Sequence, residues 1–150
     1  MTELNLPSYN SKTRILDEQT QIFDEVRKKW LKLTPEEWVR QHFVHFLINH
    51  RQYPAGLIAL EKEISILGLT RRSDIVAFRK NGQALLLVEC KAPSIRLQTE
   101  TFSQAAAYNL HWKVPYLVIT NGLQHYCAKV DFESGNIEMM ADIPFFLTVE

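Results

Sequence analysis

Asn81-Gly82 lies between two alternating apolar runs, Ser73-Asp74-Ile75-Val76-Ala77-Phe78-Arg79-Lys80 and Gln83-Ala84-Leu85-Leu86-Leu87-Val88-Glu89-Cys90-Lys91. An Asn-Gly pair in that setting predicts a two-residue hairpin turn of type I′, in which both central residues need positive φ. Such a turn sets Lys80 opposite Gln83. Counting back along the strands then sets Asp74 opposite Glu89, with Lys91 on the same face two residues on. Directly opposed Cβ atoms stand about 4.5–5.5 Å apart, where like charges destabilise the pair. A protonated carboxyl, Lys91 or a bound divalent cation would each relieve that repulsion, and hard oxygen donors on rigid strands suit the last. An ordinary polar cluster at a sheet rim, with Lys91 paired to the acids, fits the same geometry.

The rest of the chain builds outward from this hairpin. Gln83 to Lys91 is apolar on both faces in its middle, as expected of a central strand covered on both sides. Leu57 to Leu67 reads as a preceding strand, and Pro115 to Thr120, closing at Asn121-Gly122, as a short buried one. Gln98 to Trp112 reads as a helix between strands, which favours a parallel crossover. His125 to Phe132 is a further strand, ended by a Ser134-Gly135-Asn136 turn, and the tail 137–150 shows no clear pattern.

Upstream, Thr34-Pro35-Glu36-Glu37 combines an N-cap threonine, a proline at the first helical position and a glutamate three after the cap, ahead of Trp38, Phe43, Phe46 and Leu47. Ile22, Phe23, Val26, Trp30 and Leu33 recur at three-to-four spacing and predict another helix from about Asp17 to Lys32. Residues 1–12 read as a loose leader to one domain spanning 1–150.

Composition narrows the function classes. Lys plus Arg and Asp plus Glu number 17 each, which argues against coating nucleic acid through net charge but allows a local patch. The longest apolar run, Ala84 to Val88, is far short of the roughly 20 residues of a membrane span. The polar N-terminus shows no signal-peptide pattern, so a cytoplasmic location without membrane association is expected. Cys90 and Cys127 lack CxxC spacing and read as buried small hydrophobes. His42 and His45, three apart without a third ligand, read as part of an aromatic rim rather than a metal pair.

Asp74 on one strand and Glu89-Cys90-Lys91 on the next resemble the PD-(D/E)xK phosphodiesterase superfamily. Gln104 and Tyr108, four apart on one helix face, add the Q-x-x-x-Y feature of a subgroup. Together with Arg71-Arg72-Ser73-Asp74-Ile75-Val76, Leu87-Val88-Glu89-Cys90-Lys91-Ala92-Pro93 and Tyr116-Leu117-Val118-Ile119-Thr120-Asn121-Gly122, roughly Thr34 to Tyr126 is similar to the N-terminal nuclease domain of type I restriction enzyme R subunits.

The resemblance implies a restriction-endonuclease-like α/β fold, a central mixed sheet of four or five strands flanked by helices on both faces. It implies Mg²⁺-dependent hydrolysis of DNA, with Mn²⁺ as a substitute, and restriction-modification subunits as partners; a homo-oligomer stays open. Asp74, Glu89 and the Cys90 backbone carbonyl would hold the metal. Lys91 would orient the attacking water or oppose developing charge, and Gln104 and Tyr108 would face the same site. Glu37 is a candidate further metal ligand, although its capping position accounts for it fully without catalysis. Arg71 and Arg72 could contact phosphate, as could Arg79 and Lys80, and Glu61 and Glu63 read as solvent-facing. Serine stands before Asp74 where the superfamily pattern has proline, and no G-x-x-x-x-G-K-[ST] phosphate loop occurs. The competing reading is a non-catalytic module that binds nucleic acid or a partner protein.

Overall fold

The computed structural model describes residues 1–149; Glu150, the last residue of the tail, lies outside the described residues. The chain forms two sheets. The larger is built from β4 (Ile58–Ile66), β5 (Leu69–Phe78), β6 (Ala84–Cys90), β7 (Tyr116–Thr120), β8 (His125–Val130) and β9 (Ile137–Met140), adjacent in that order. All neighbours are antiparallel except β6 and β7, which pair in parallel. The crossover between those two carries α2 (Thr99–Asn109). Six strands thus replace the four or five expected. The added edge strand, β9, comes from the tail, which also forms the short α3 (Phe146–Val149).

The predicted helix from Asp17 to Lys32 is instead an antiparallel sheet of β1 (Thr13–Leu16), β2 (Gln19–Asp24) and β3 (Lys29–Lys32). Apolar spacing alone misleads here. Ile22 and Asp24 are buried at a period of two, and Phe23 faces Trp30 across the strands at 5.2 Å. Asp17 and Glu18 form a two-residue turn with φ of 49° and 63°, a backbone uncommon outside glycine that aspartate adopts more readily than glutamate.

α1 (Pro35–His50) begins where the sequence predicts. The Thr34 hydroxyl accepts the Glu37 N–H at 3.1 Å, and Pro35 occupies the first turn. Its Val39, Phe43 and Leu47 pack on one face of the large sheet against Leu60, Ile75, Val88 and Cys90. Phe102 and Ala106 of α2 pack on the other against Val76, Leu87, Leu117 and Ile119. The first face is covered by α1 and by Phe146 and Val149 of the short α3, together with Leu4, Leu6 and Val26 from irregular and β-turn segments, and not by a helix over 17–32. The 1–12 segment has no helix or strand, yet it is tied down. Asn5 N–H donates to Gly122 C=O at 2.8 Å, Trp38 Nε1 donates to Thr2 C=O, and Tyr9 stacks on His45 at 3.6 Å. Gly122, at φ 84°, leaves room for Leu4, which a Cβ there would meet at 2.7 Å. No described helix is long and apolar enough to cross a membrane.

Two local irregularities set the alignment of the central hairpin. Asn81-Gly82 is not a type I′ turn: only Gly82 has positive φ, at 89°, and Lys80 to Gly82 form a three-residue loop closed by Arg79 N–H on Gln83 C=O. That loop offsets the strands by one residue, Phe78 facing Ala84. A bulge at Leu85 removes the offset, so Ala77 faces Leu86 and Ile75 faces Val88, as the two-residue turn would have placed them. Leu85 and Leu86 consequently point into the same core instead of alternating.

The second irregularity lies at Glu61, whose φ is 51°. Leu60 pairs Ile75 and Lys62 pairs Ser73, but no pair forms between Glu61 and Asp74. Leu60 and Ile75 belong to the α1 core, whereas Ile64, three pairs beyond the break, packs with the α2 core. β4 and β5 therefore exchange faces at Glu61 and Asp74.

A candidate active site where two strands part

Asp74 occupies the break. Its Oδ2 accepts the backbone N–H of Cys90 at 2.8 Å, taking the place of a ladder bond beyond Ile75 and Val88. Its Oδ1 accepts Arg40 Nη2 at 2.9 Å. In a strand the N–H and C=O of one residue point to the same side, so the Cys90 carbonyl also projects toward Asp74.

Arg40 links Asp74 to α1. It also bonds both oxygens of Glu37, at 2.9 and 3.1 Å. The Glu37 carboxylate thus turns to Arg40 and Gln41, while its backbone N–H completes the Thr34 cap. Burial pushes the Glu37 carboxyl up, against the pull of Arg40 and Arg27. From the small sheet, Arg27 bonds Asp24 at 2.5 Å and Glu61 at 2.6 Å. Burial alone would raise the fully buried Asp24, but bonds from Arg27 backbone and side chain hold it below the ordinary carboxylate range. Glu61, read as solvent-facing, belongs to this network: its positive φ turns it toward Arg27 and Arg40, and exposed Arg72 lies 3.5 Å away. Asp24, Glu37, Glu61 and Asp74 thus share Arg27 and Arg40, leaving carboxylate in excess.

Glu89 stands on the α2 side. Because β5 has changed faces, it meets Ser73 and Arg71: its Oε1 accepts Arg71 Nη2 at 3.0 Å and the Ser73 hydroxyl at 3.4 Å. Arg71 in turn donates to the fully buried Asn109 of α2 at 3.1 Å. Burial raises the Glu89 carboxyl above its ordinary value and the nearby charge of Asp74 adds to that; Arg71 and Lys91 oppose it. The two acids share one site, but not as a directly opposed pair. Lys91 is exposed, its backbone fixed by the N–H donating to Thr120 C=O at 2.8 Å.

The other expected residues are more dispersed. Gln104 and Tyr108 are exposed on α2, and neither bonds Asp74, Glu89 or Lys91; Tyr108 packs its ring beside His111 and Trp112. Arg79 is at the far end of the hairpin, on the Val149 carbonyl. Glu63 is exposed, and His42 bonds the Trp38 carbonyl amid aromatic rings. Sequence reasoning missed Asp24, Arg27, Arg40, Ser73 and Asn109. Only Arg40 left a visible trace, an arginine one turn after Glu37.

Residues 35–144 match the family described as Type I restriction enzyme R protein N terminus (HSDR_N). The chain belongs to that family. Among solved structures, a fragment of an HsdR subunit of a type I restriction enzyme from Vibrio vulnificus YJ016 is similar, with 16% identity and a TM-score of 0.51. The similarity covers 75% of this chain and 24% of that one, so the chain spans about a quarter of its length, and the likeness concerns the fold alone. No curated protein matches.

In this member of the R-protein N-terminal family, no three His, Cys, Asp or Glu side chains cluster as a cation site among the described residues. The oxygen donors at the break are the Asp74 and Glu89 carboxylates and the Cys90 carbonyl. Glu89 Oε2 takes no hydrogen bond from a described residue. Two carboxylates and one carbonyl fit a hard ion that keeps several of its own waters, and the excess of carboxylate nearby favours positive charge. A closed zinc site they do not fit.

Proposed function

We propose that this chain is a nuclease domain of the PD-(D/E)xK type, hydrolysing DNA phosphodiester bonds with Mg²⁺, or Mn²⁺ in its place. The observation that carries the reading is the meeting of Asp74, the Cys90 backbone, Glu89 and Lys91 where β5 and β6 part. Asp74, Glu89 and the Cys90 carbonyl would hold the ion. When bound, it polarises a phosphoryl oxygen and lowers the pKa of a water. Arg40 and Arg71 position the two carboxylates. The Lys91 ammonium faces charge that grows on the phosphoryl oxygens and orients the attacking water. Gln104 and Tyr108, on the outer face of α2, contact the DNA backbone, and Arg72 neutralises phosphate nearby. In a restriction-modification setting, other subunits would bring DNA to the site.

The test is supercoiled plasmid with Mg²⁺ or Mn²⁺, beside a Lys91→Ala protein prepared identically. Nicking or linearisation by the wild type alone supports the reading; equal cleavage by both removes it. A second reading, a binding module without turnover, draws on the two arginines that already neutralise the acids. It predicts DNA affinity unchanged by chelator.

A further inference from the structure

A cavity of about 310 Å³ opens directly beside Lys91, on the α2 side of the sheet. Leu97, Phe102, Ile119 and Tyr126 form its apolar wall, and Lys91 and Arg96 stand on its rim. Phe102 is fully buried and lies 5.6 Å from Tyr126 with the rings inclined by 31°, so the half-buried Tyr126 ring is held from behind. A second depression, reaching to Gln124, continues past Arg96 and Tyr126, with Glu100 on its lining. Arg96 is exposed and makes no ion pair or hydrogen bond with a described residue, and no carboxylate lines the first cavity. An apolar cleft with an aromatic wall and two exposed cations at its mouth complements a flat ring carried on a phosphate backbone.

We propose that this cavity receives one unpaired nucleotide of the strand whose phosphodiester lies at Lys91. The proposal rests on the hydrolytic reading for its neighbouring site and names its substrate class. The cavity is at the small end of ligand-site volumes, the scale of one nucleoside and not of a duplex groove. Bases in a duplex have both faces stacked, so only an unpaired base can present its face to Tyr126. The preferred substrate is therefore single-stranded DNA, a frayed end or a junction with an unpaired residue. Arg96 meets the flanking phosphate, and Tyr126 stacks on the base.

Anisotropy titrations of the full chain decide it, using a fluorescein-labelled single-stranded oligonucleotide and the same oligonucleotide fully paired, with Ca²⁺ and with chelator. The wild type is expected to bind the single strand about tenfold tighter than the duplex. Tyr126→Ala and Arg96→Glu should each lose about tenfold of single-strand affinity, while Tyr126→Phe retains it. Equal affinity for the two forms, or single-strand affinity unchanged in both variants, overturns the proposal. Arg96 is exposed, so its variant decides the matter even if Tyr126→Ala fails to fold. Incubating the single-stranded oligonucleotide as well as the plasmid with Mg²⁺ or Mn²⁺ separates the two readings. Single-strand preference that depends on Tyr126 without cleavage keeps the pocket and removes hydrolysis; cleavage without preference does the reverse.

Discussion

The two halves of the site balance charge in opposite ways. On the α1 side, Asp24, Glu37, Glu61 and Asp74 are closed around Arg27 and Arg40, with little exposure of either guanidinium. On the α2 side, Glu89 has one guanidinium and a hydroxyl, and Lys91 looks outward beside a cavity. A buried network of paired charges costs most when one member is removed, because the remainder is left uncompensated. An open group can change its protonation state or find water. The first half is built to hold position and the second to accept a ligand.

The largest expected effect breaks the open half without touching the fold. Lys91→Ala should reduce plasmid cleavage by roughly 10²-fold or more, the scale of a lost transition-state charge partner, while Mn²⁺ binding followed by calorimetry stays intact. Asp74→Ala and Glu89→Ala should lose both. Equal activity in all three variants would end the hydrolytic reading.

The next prediction sets one arginine against the other. Arg40→Ala strands Glu37 and Asp74 and should cost about 3–5 kcal/mol. Arg71→Ala should cost less, about 1–2 kcal/mol, because Glu89 is partly exposed and can take up a proton, so that the main loss is the bond to the buried Asn109. Urea unfolding measures both, and equal losses would erase the distinction between the halves.

Asp24→Asn should cost about 2 kcal/mol, the scale of hydrogen bonds to a charged group, and should also change the pH profile. The Asp24 carboxyl is held low, so its contribution is full above its unfolded value, about 3.9, and is lost as pH falls through the lower folded value. The wild type should show that acid loss and Asp24→Asn a flatter limb.

Glu89→Gln should give the smallest change and the opposite sign. The Glu89 carboxyl is held high, so the folded state keeps a proton that the unfolded chain has released. Stability falls as pH rises from the unfolded value, about 4.3, toward the higher folded one. In chelator at neutral pH, Glu89→Gln should therefore melt slightly higher than wild type, with the gain vanishing below pH about 4.

The sequence showed the hairpin and the start of α1 because each has a local signal: turn residues between alternating runs, and Thr34 before Pro35. It also made Asp74, Glu89 and Lys91 neighbours, although by way of a turn that does not form; the bulge at Leu85 restored an alignment that the loop at Asn81-Gly82 had displaced. The small sheet was hidden because Ile22, Phe23, Val26 and Trp30 satisfy helical spacing, while the Asp17-Glu18 turn has glutamate where an Asp-Gly hairpin signal would have glycine. Asp24 and Arg27 went unseen with it. Glu61 was misplaced because alternation along a strand carries no mark of a backbone that reverses it.

That reversal has a consequence for how the molecule comes apart. β4 and β5 give Leu60 and Ile75 to one core and Ile64 and Val76 to the other, so neither core owns its strands. Melting the α2 layer would pull on the same hairpin that the α1 layer needs, and loss of either would separate Asp74 from Cys90. The two layers should therefore exchange their amide hydrogens as a single cooperative unit, with partial opening confined to the β4–β5 tip beyond Ile64, where Leu67 is 90% exposed.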